Sequence, residues 1–447
     1  MDESISDNYH EDINMKSKSV DQEATLLDDN DIAKIIERKT GVSNQSVINW
    51  RLEPITSSYG FLGSYYQLIV TVSKSNNING ESNDIGAKNT EYHFFAKTLP
   101  VSGPQREVVL QIGIFNKEIV MYDDMIPRIG SKRESNWSPE CYLCKRDVII
   151  VMEDLKHQNY TTLGKEVIFD YDILSSLFET FAKFHSRSLI FEEQLRAQGK
   201  TLQDVWPDQL NIGLFSNHEK SILYRKSALM GIFCMVKAID NLTDNQKDII
   251  INKITRWFEC LVEAFKPSSK YRNVIAHQDV WTANVMFLMD GQGKPQKCRL
   301  IDFQFYGYLN PAMDLMVSFY MTTNRMIRDN FSDTLIQYYY NCVKQCLENE
   351  SLDIEKILPW NEFKQSCKDA RPWGLMCSLI NLQLALLDDH VREKYYVRSP
   401  ELLENISLGS GRIELVSMQF KTNQLYRERL TENIFEVLEQ FSDQVTV

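Results

Sequence analysis

The spacing of apolar positions divides the chain into a strand-rich first third and a helical remainder. A helix opening near Asn30 or Asp31 would set Ile32, Ile35 and Ile36 on one face and stop at Gly41. From Trp50 the pattern turns to strands. Ser64–Val72 (SYYQLIVTV) is rich in aromatic and β-branched residues, and 92–96 is a second such run. The Asn/Ser/Gly-rich segment 74–90 between them predicts a long exposed hairpin loop. After Pro104, Val108, Ile112, Phe115, Ile119 and Tyr122 recur at helical spacing, which predicts one amphipathic helix with Glu118 beside its apolar stripe. Pro127 and a polar loop follow. Strands are then expected near 141–144 and 148–152, with Glu153-Asp154-Leu155 directly after them.

From Phe169 onward helical spacing dominates. Ile173, Leu174, Leu177, Phe178, Phe181 and Phe184 form a wide stripe that reads as core, and His185 at its end reads as a buried, hydrogen-bonded histidine. Helices over 219–238 and 244–265 lead into 274–304, and helices near 333–346, 373–387 and 412–441 close the chain. No internal repeat is visible.

The segment 274–304 carries the chemistry. It contains His277-x-Asp279-x4-Asn284, and Asp302-Phe303-Gln304 begins 18 residues after the asparagine. Between them, Val285–Met289 is an apolar run, Asp290-Gly291 opens a turn and 298–301 returns, which predicts a hairpin. The outer ends of an antiparallel pair meet, so Asn284 and Asp302 should be near neighbours, with Asp279 on the loop leading in. Any one of these residues alone could cap a turn. Two carboxylates and a carboxamide together suit Mg2+ held with substrate phosphates, leaving one carboxylate for a substrate hydroxyl.

Lys97 ends the second strand after Phe94, Phe95 and Ala96, and a buried ammonium needs an anionic partner. Glu118 on the next helix can supply one, an arrangement that orients a phosphate-binding lysine. Alternatively, Lys97 snorkels to solvent and Glu118 lies on a solvated face. Gly60 and Gly63, among the serines of 57–64, could close backbone N–H groups over phosphates, although an ordinary hairpin turn explains them as well. Glu153, Asp154 and Leu155 could offer backbone to an adenine, or Asp154 could simply terminate its strand.

Composition narrows the classes. The net charge of −12 is uneven: residues 1–31 hold ten acidic side chains and two lysines, leaving about −4 for the rest. A nearly neutral body has no basic face for nucleic acid. The most apolar window, 228–239, is too short to span a bilayer, and the first residues carry no apolar run, so a cytoplasmic protein without a membrane span is expected. Nine scattered cysteines fit reduced thiols, and Cys141-x-x-Cys144 reads as two residues of one strand rather than a zinc or redox motif.

Taken in order, Lys97, Glu118, Glu153-Asp154-Leu155, HQDVWTAN and DFQ resemble the ecdysteroid kinase-like (CHK kinase-like) family. That family lies within the aminoglycoside phosphotransferase and choline kinase group of protein-kinase-like folds. FFAKTLP around the lysine, VMEDL and AKFHS at 182–186 match as well, and the resemblance runs from about Ile32 to the C-terminus. It implies an α+β, two-lobed protein-kinase-like fold with a small antiparallel β-sheet N-lobe and a large mainly helical C-lobe. The expected divisions are a disordered acidic tail over 1–29, a nucleotide-binding lobe over 30–155 and a catalytic, substrate-binding helical lobe over 156–447.

The resemblance also implies ATP- and Mg2+-dependent phosphorylation of a small-molecule alcohol; of the oligomeric states, a monomer is favoured. The alcohol would be an ecdysteroid or a related apolar compound; the alternatives are a choline/ethanolamine-type or xenobiotic-detoxifying kinase, or an inactive pseudokinase. By the same resemblance Asp279 is the catalytic base, Asn284 and Asp302 hold Mg2+, Lys97 contacts the ATP phosphates and Glu118 positions it. His277 would brace the loop and Asp314 would anchor it. The chain departs from the family pattern at Gln278, where a glycine is usual, and in its poorly matched loop near Gly60.

Overall fold

The computed structural model describes residues 26–55, 63–73, 89–100, 104–130, 137–211, 215–397 and 400–439. Gly60, most of the acidic tail and the loop over 74–88 lie outside these residues. The chain divides into two compact units. The first gathers the described residues within 1–57, 62–101 and 139–158, and the second gathers those within 102–138 and 159–447.

The first unit is a five-stranded sheet, antiparallel throughout, in the order β1-β2-β3-β5-β4. Its strands are β1 Val47–Pro54, β2 Ser64–Val72, β3 Thr90–Thr98, β4 Cys141–Lys145 and β5 Ile149–Glu153. One face carries Leu68, Val70, Phe94, Ala96, Leu143, Ile149 and Val151, and Ile32, Ile35 and Ile36 of the helix Asp29–Thr40 pack into this cluster. Burying each isoleucine contributes roughly 1.5–3 kcal/mol. The helix starts slightly earlier than its apolar spacing predicts. Asp28 and Asp31 form a capping box, and Leu27, ahead of the cap, is already buried. At the other end Gly41, at φ 73°, stops the helix in the left-handed region. The edge strand β4 is partly covered, because the Arg38 guanidinium donates to the Tyr142 carbonyl at 3.0 Å.

The second unit is mainly helical. Its long helices include Tyr171–Arg196, Glu219–Ala238, Asp244–Ala264, Arg325–Glu348 and Trp360–Ala385. The stripe from Ile173 to Phe184 is buried as expected. Two expected helices are broken. The helix after Pro104 splits at Gly113, whose φ of 74° ends Pro104–Ile112 before Ile114–Val120 begins. The terminal helix splits into Gly411–Thr422 and Gln424–Glu439 at Asn423, which has extended backbone.

Three short strands escape sequence reading: β6 Tyr160–Thr162, β7 Val274–Ala276 and β10 Gly307–Leu309. Between β7 and β10 come β8 Val285–Met289 and β9 Pro295–Leu300, the expected hairpin. β7 pairs with β10, and β6 adds to the outer side of β8. Among the described residues no helix is long and apolar enough to cross a membrane.

Candidate active site

The hairpin sets the geometry. Val285 pairs with Leu300, and one step beyond that pair the Ile301 N–H donates to the Asn284 carbonyl at 3.1 Å. Asp302 is therefore the first residue past the closed end of the ladder. Its φ of 64° and ψ of 65° place it in the left-handed region, a conformation that Asp tolerates better than most residues and that turns the chain into the 3-10 segment Phe303–Phe305.

Phe303 is buried and anchors that turn. Its ring lies 4.7 Å from His277, 5.6 Å from Phe184, and 5.8 Å from both Trp137 and Tyr122. An aromatic fixed on four sides leaves Asp302 little freedom, whatever its own strain.

The other two residues meet directly. The Asn284 amide donates from Nδ2 to the Asp279 carbonyl at 2.8 Å and to its carboxylate Oδ2 at 2.9 Å. With the nitrogen turned toward Asp279, the Asn284 Oδ1 remains as a hard acceptor.

The loop between β7 and Asn284 is held by one buried carboxylate. Asp314, on the helix Ala312–Thr322, accepts the His277 N–H at 2.6 Å and the Gln278 N–H at 2.8 Å. His185 adds a third contact, with Nε2 3.1 Å from Asp314 and Nδ1 2.8 Å from the Tyr339 hydroxyl. Burial alone would raise the Asp314 pKa. The His185 hydrogen bond, the two imidazoles nearby and the His277 N–H outweigh it and hold the group below the usual carboxylate range.

His277 is fully buried. Its Nε2 lies 2.9 Å from the Ile301 carbonyl, while Nδ1 accepts the Asp279 N–H at 3.3 Å. The Nε2–H tautomer satisfies both contacts, and burial keeps the pKa below the ordinary histidine value despite Asp314 nearby. The ring thus ties the Asp279 loop to the strand leading into Asp302.

Gln278 has a φ of 65°, the left-handed conformation in which glycine carries no Cβ penalty. Its side-chain amide covers Gly307: a Cβ added there would lie 1.9 Å from Gln278 Nε2.

Residues that the sequence does not mark lie on the helices Glu219–Ala238 and Trp360–Ala385. Tyr224 and Cys377 both have raised pKa values, first from burial; Arg412 opposes the shift at Tyr224, and the Asp279 charge adds to it at both. The Tyr224 hydroxyl donates to Asn381 at 2.9 Å. Lys117 was also unmarked. It is buried, donates to the Tyr306 carbonyl and lies 4.6 Å over the Tyr306 ring, with its pKa lowered to about 7 by desolvation. Only tertiary packing sets the surroundings of these residues. Trp373, Met376 and Tyr320 are buried in the core.

The remaining marked residues divide between the units. In the first, Lys97 is buried on β3 between Tyr65 and Ile150. Its stem runs along Gly63, where an added Cβ would stand 3.4 Å from Lys97 Cε. Asp154 accepts Gln67 Nε2 and the His157 N–H, both at 3.1 Å, so its carboxylate caps the turn after β5. Glu153 accepts Gln158 Nε2 at 2.6 Å, and Leu155 is buried. Glu118, in the second unit, is fully buried on the helix Ile114–Val120.

The profile of the ecdysteroid kinase-like family matches residues 71–351, more than half of the chain and all of the hairpin region. The chain belongs to the ecdysteroid kinase-like family. It is a member of a group of small-molecule kinase-like proteins, and the small antiparallel sheet with the mainly helical unit gives the expected α+β class. No curated protein matches it.

Among solved structures it is similar to a choline/ethanolamine kinase family protein from Mesorhizobium loti. Identity is 10% over 87% of this chain and 92% of that one, with a TM-score of 0.33. It is also similar to a microcompartment-associated aminopropanol kinase, with 13% identity over 89% and 99% of the two chains and a TM-score of 0.31. At such values neither likeness adds weight to the family match.

Mg2+ and ATP can be tested against the residues present. Among the described residues no cluster of three or more His, Cys, Asp or Glu could hold a metal alone. Mg2+ bound with a nucleotide needs only one or two protein oxygens, the rest coming from phosphates and water. Asn284 Oδ1 and the Asp302 carboxylate are such a set, so the site fits.

Two outcomes follow for the loop. Asp314→Ala strands two buried backbone N–H groups at about 1–3 kcal/mol each; denaturant unfolding should show a loss on the order of 3 kcal/mol. Gln278→Gly removes the left-handed penalty of roughly 1 kcal/mol and should raise the melting temperature; a lower one would show that the Gln278 packing on Gly307 matters more.

Proposed function

We propose that this family member transfers the γ-phosphoryl group of ATP, with Mg2+, to the hydroxyl of a small-molecule alcohol, foremost an ecdysteroid or similar apolar alcohol. The observation that carries the reading is the Asp279–Asn284 hydrogen bond at the end of the hairpin, with Asp302 one residue beyond the ladder. Three oxygen-bearing side chains at one strand end, on a loop pinned from beneath, suit a reaction whose catalysis is positioning and charge neutralisation.

Asp279 is the base that accepts the acceptor hydroxyl's proton. The Asn284 amide fixes one oxygen of that carboxylate and so sets the direction of the other. Asn284 Oδ1 and Asp302 would hold Mg2+, which when bound neutralises charge on the phosphate oxygens. Lys97 would contact the ATP phosphates, Glu118 would orient it, and Gly60 and Gly63 would cover the phosphates. The backbone of Glu153, Asp154 and Leu155 would meet the adenine. The Asp279 charge raises the pKa values of Tyr224 and Cys377, which supports an acceptor bound toward their helices.

The test is a screen of ecdysteroids, other sterols, choline and xenobiotic alcohols with γ-labelled ATP and Mg2+. Label should appear on a sterol-like alcohol. Asp279→Asn should lower that transfer by two or more orders of magnitude while Mg·ATP still raises the melting temperature. Wild-type turnover in the variant would remove Asp279 as the base, and transfer to choline alone would replace the proposed acceptor.

A further inference from the structure

Two cysteines that the reaction does not use lie on the face of the sheet that carries Lys97. In a regular strand, residues three apart point to opposite faces. β4 is not regular: Cys141 pairs with Met152, Leu143 with Val151 and Cys144 with Ile150, so Tyr142 is an extra, bulged residue. The bulge puts Cys141 and Cys144 opposite Met152 and Ile150, two positions of β5 that share a face. Residues three apart in sequence thereby become same-face neighbours.

The sulfurs are 3.5 Å apart, and both residues are half-buried. Two pleat steps separate their backbones by roughly 6.7 Å, within the reach of a disulfide. Ile150 pairs on its other side with Lys97, and Met152 with Phe95, so the thiols continue the Lys97 row across the sheet.

We propose that Cys141 and Cys144 are an oxidisable dithiol that a peroxide closes to a disulfide, giving the Lys97 face of the sheet a reversible modification site. One thiolate attacks a peroxide oxygen and becomes a sulfenic acid as water leaves. The second thiolate then attacks that sulfur, the S–S bond forms, and the hydroxyl departs as a second water. Two thiols are oxidised and one peroxide is reduced. All nine cysteines are thiols in this structure, so the reduced form is the one described. The other close pair in sequence, Cys342 and Cys346, lies on the helix Arg325–Glu348, where burial pushes Cys342 up to about 11 and suppresses the thiolate. The inference stands on the sheet geometry and holds whether or not the chain is a kinase.

The test uses the full chain, treated with hydrogen peroxide and then alkylated under denaturing conditions. Tryptic peptide 134–145 contains both residues. It should lose two hydrogens and escape alkylation, and dithiothreitol should restore both thiols. Cys144→Ser should abolish the bridge and leave Cys141 as a sulfenic acid that dimedone traps. Both thiols remaining alkylatable in the wild type, or either one bridging to a different cysteine, would overturn the proposal.

Discussion

A single buried carboxylate holds the candidate site together. Asp314 accepts two successive backbone N–H groups, from His277 and Gln278, and a histidine from a third element. A loop that must present Asp279 outward cannot satisfy these N–H groups within its own short strand, and leaving them unpaired in the core would be costly. The carboxylate supplies both acceptors at once. Its ionised state is preserved by the same contacts, so structure and charge sustain each other. His277 extends the brace to Ile301, the residue before Asp302. The Asp279 loop and the Asp302 turn are therefore positioned by one connected network.

Strain gathers at the same place. Gln278 and Asp302, on either side of the hairpin, both have positive φ. Neither is a glycine, and each is held by packing: Gln278 against Gly307, and Asp302 through the aromatic ring of its neighbour Phe303. Strained backbone of this kind clusters at functional sites. Here the glycine expected between His277 and Asp279 is replaced by a residue that covers the strand β10 in exchange.

Much of this could be read from the amino-acid order because the relevant signals are local. Val285–Met289, the Asp-Gly turn and the returning strand specify a hairpin, and a hairpin forces its outer ends together. The Ile173–Phe184 stripe and the Ile32–Ile36 face were legible for the same reason. Three-residue strands such as β7 and β10 were not, since so short a run carries no periodicity. Nor was the break at Gly113, where the apolar spacing runs on through a residue that leaves the helical region. Tyr224, Cys377 and Lys117 sit in ordinary helical sequence, and only the packing of distant elements sets what surrounds them. The bulge that aligns Cys141 with Cys144 is likewise a property of strand pairing.

The account's central claim is that the end of this hairpin is a metal–nucleotide site. Electron paramagnetic resonance of Mn2+, which substitutes for Mg2+, reads it directly. With ATP present the protein should convert the free Mn2+ signal to a bound one, and Asn284→Ala and Asp302→Ala should each restore most of the free signal. Undiminished Mn2+ binding in both variants, or no ATP-dependent binding by the wild type, would contradict the claim.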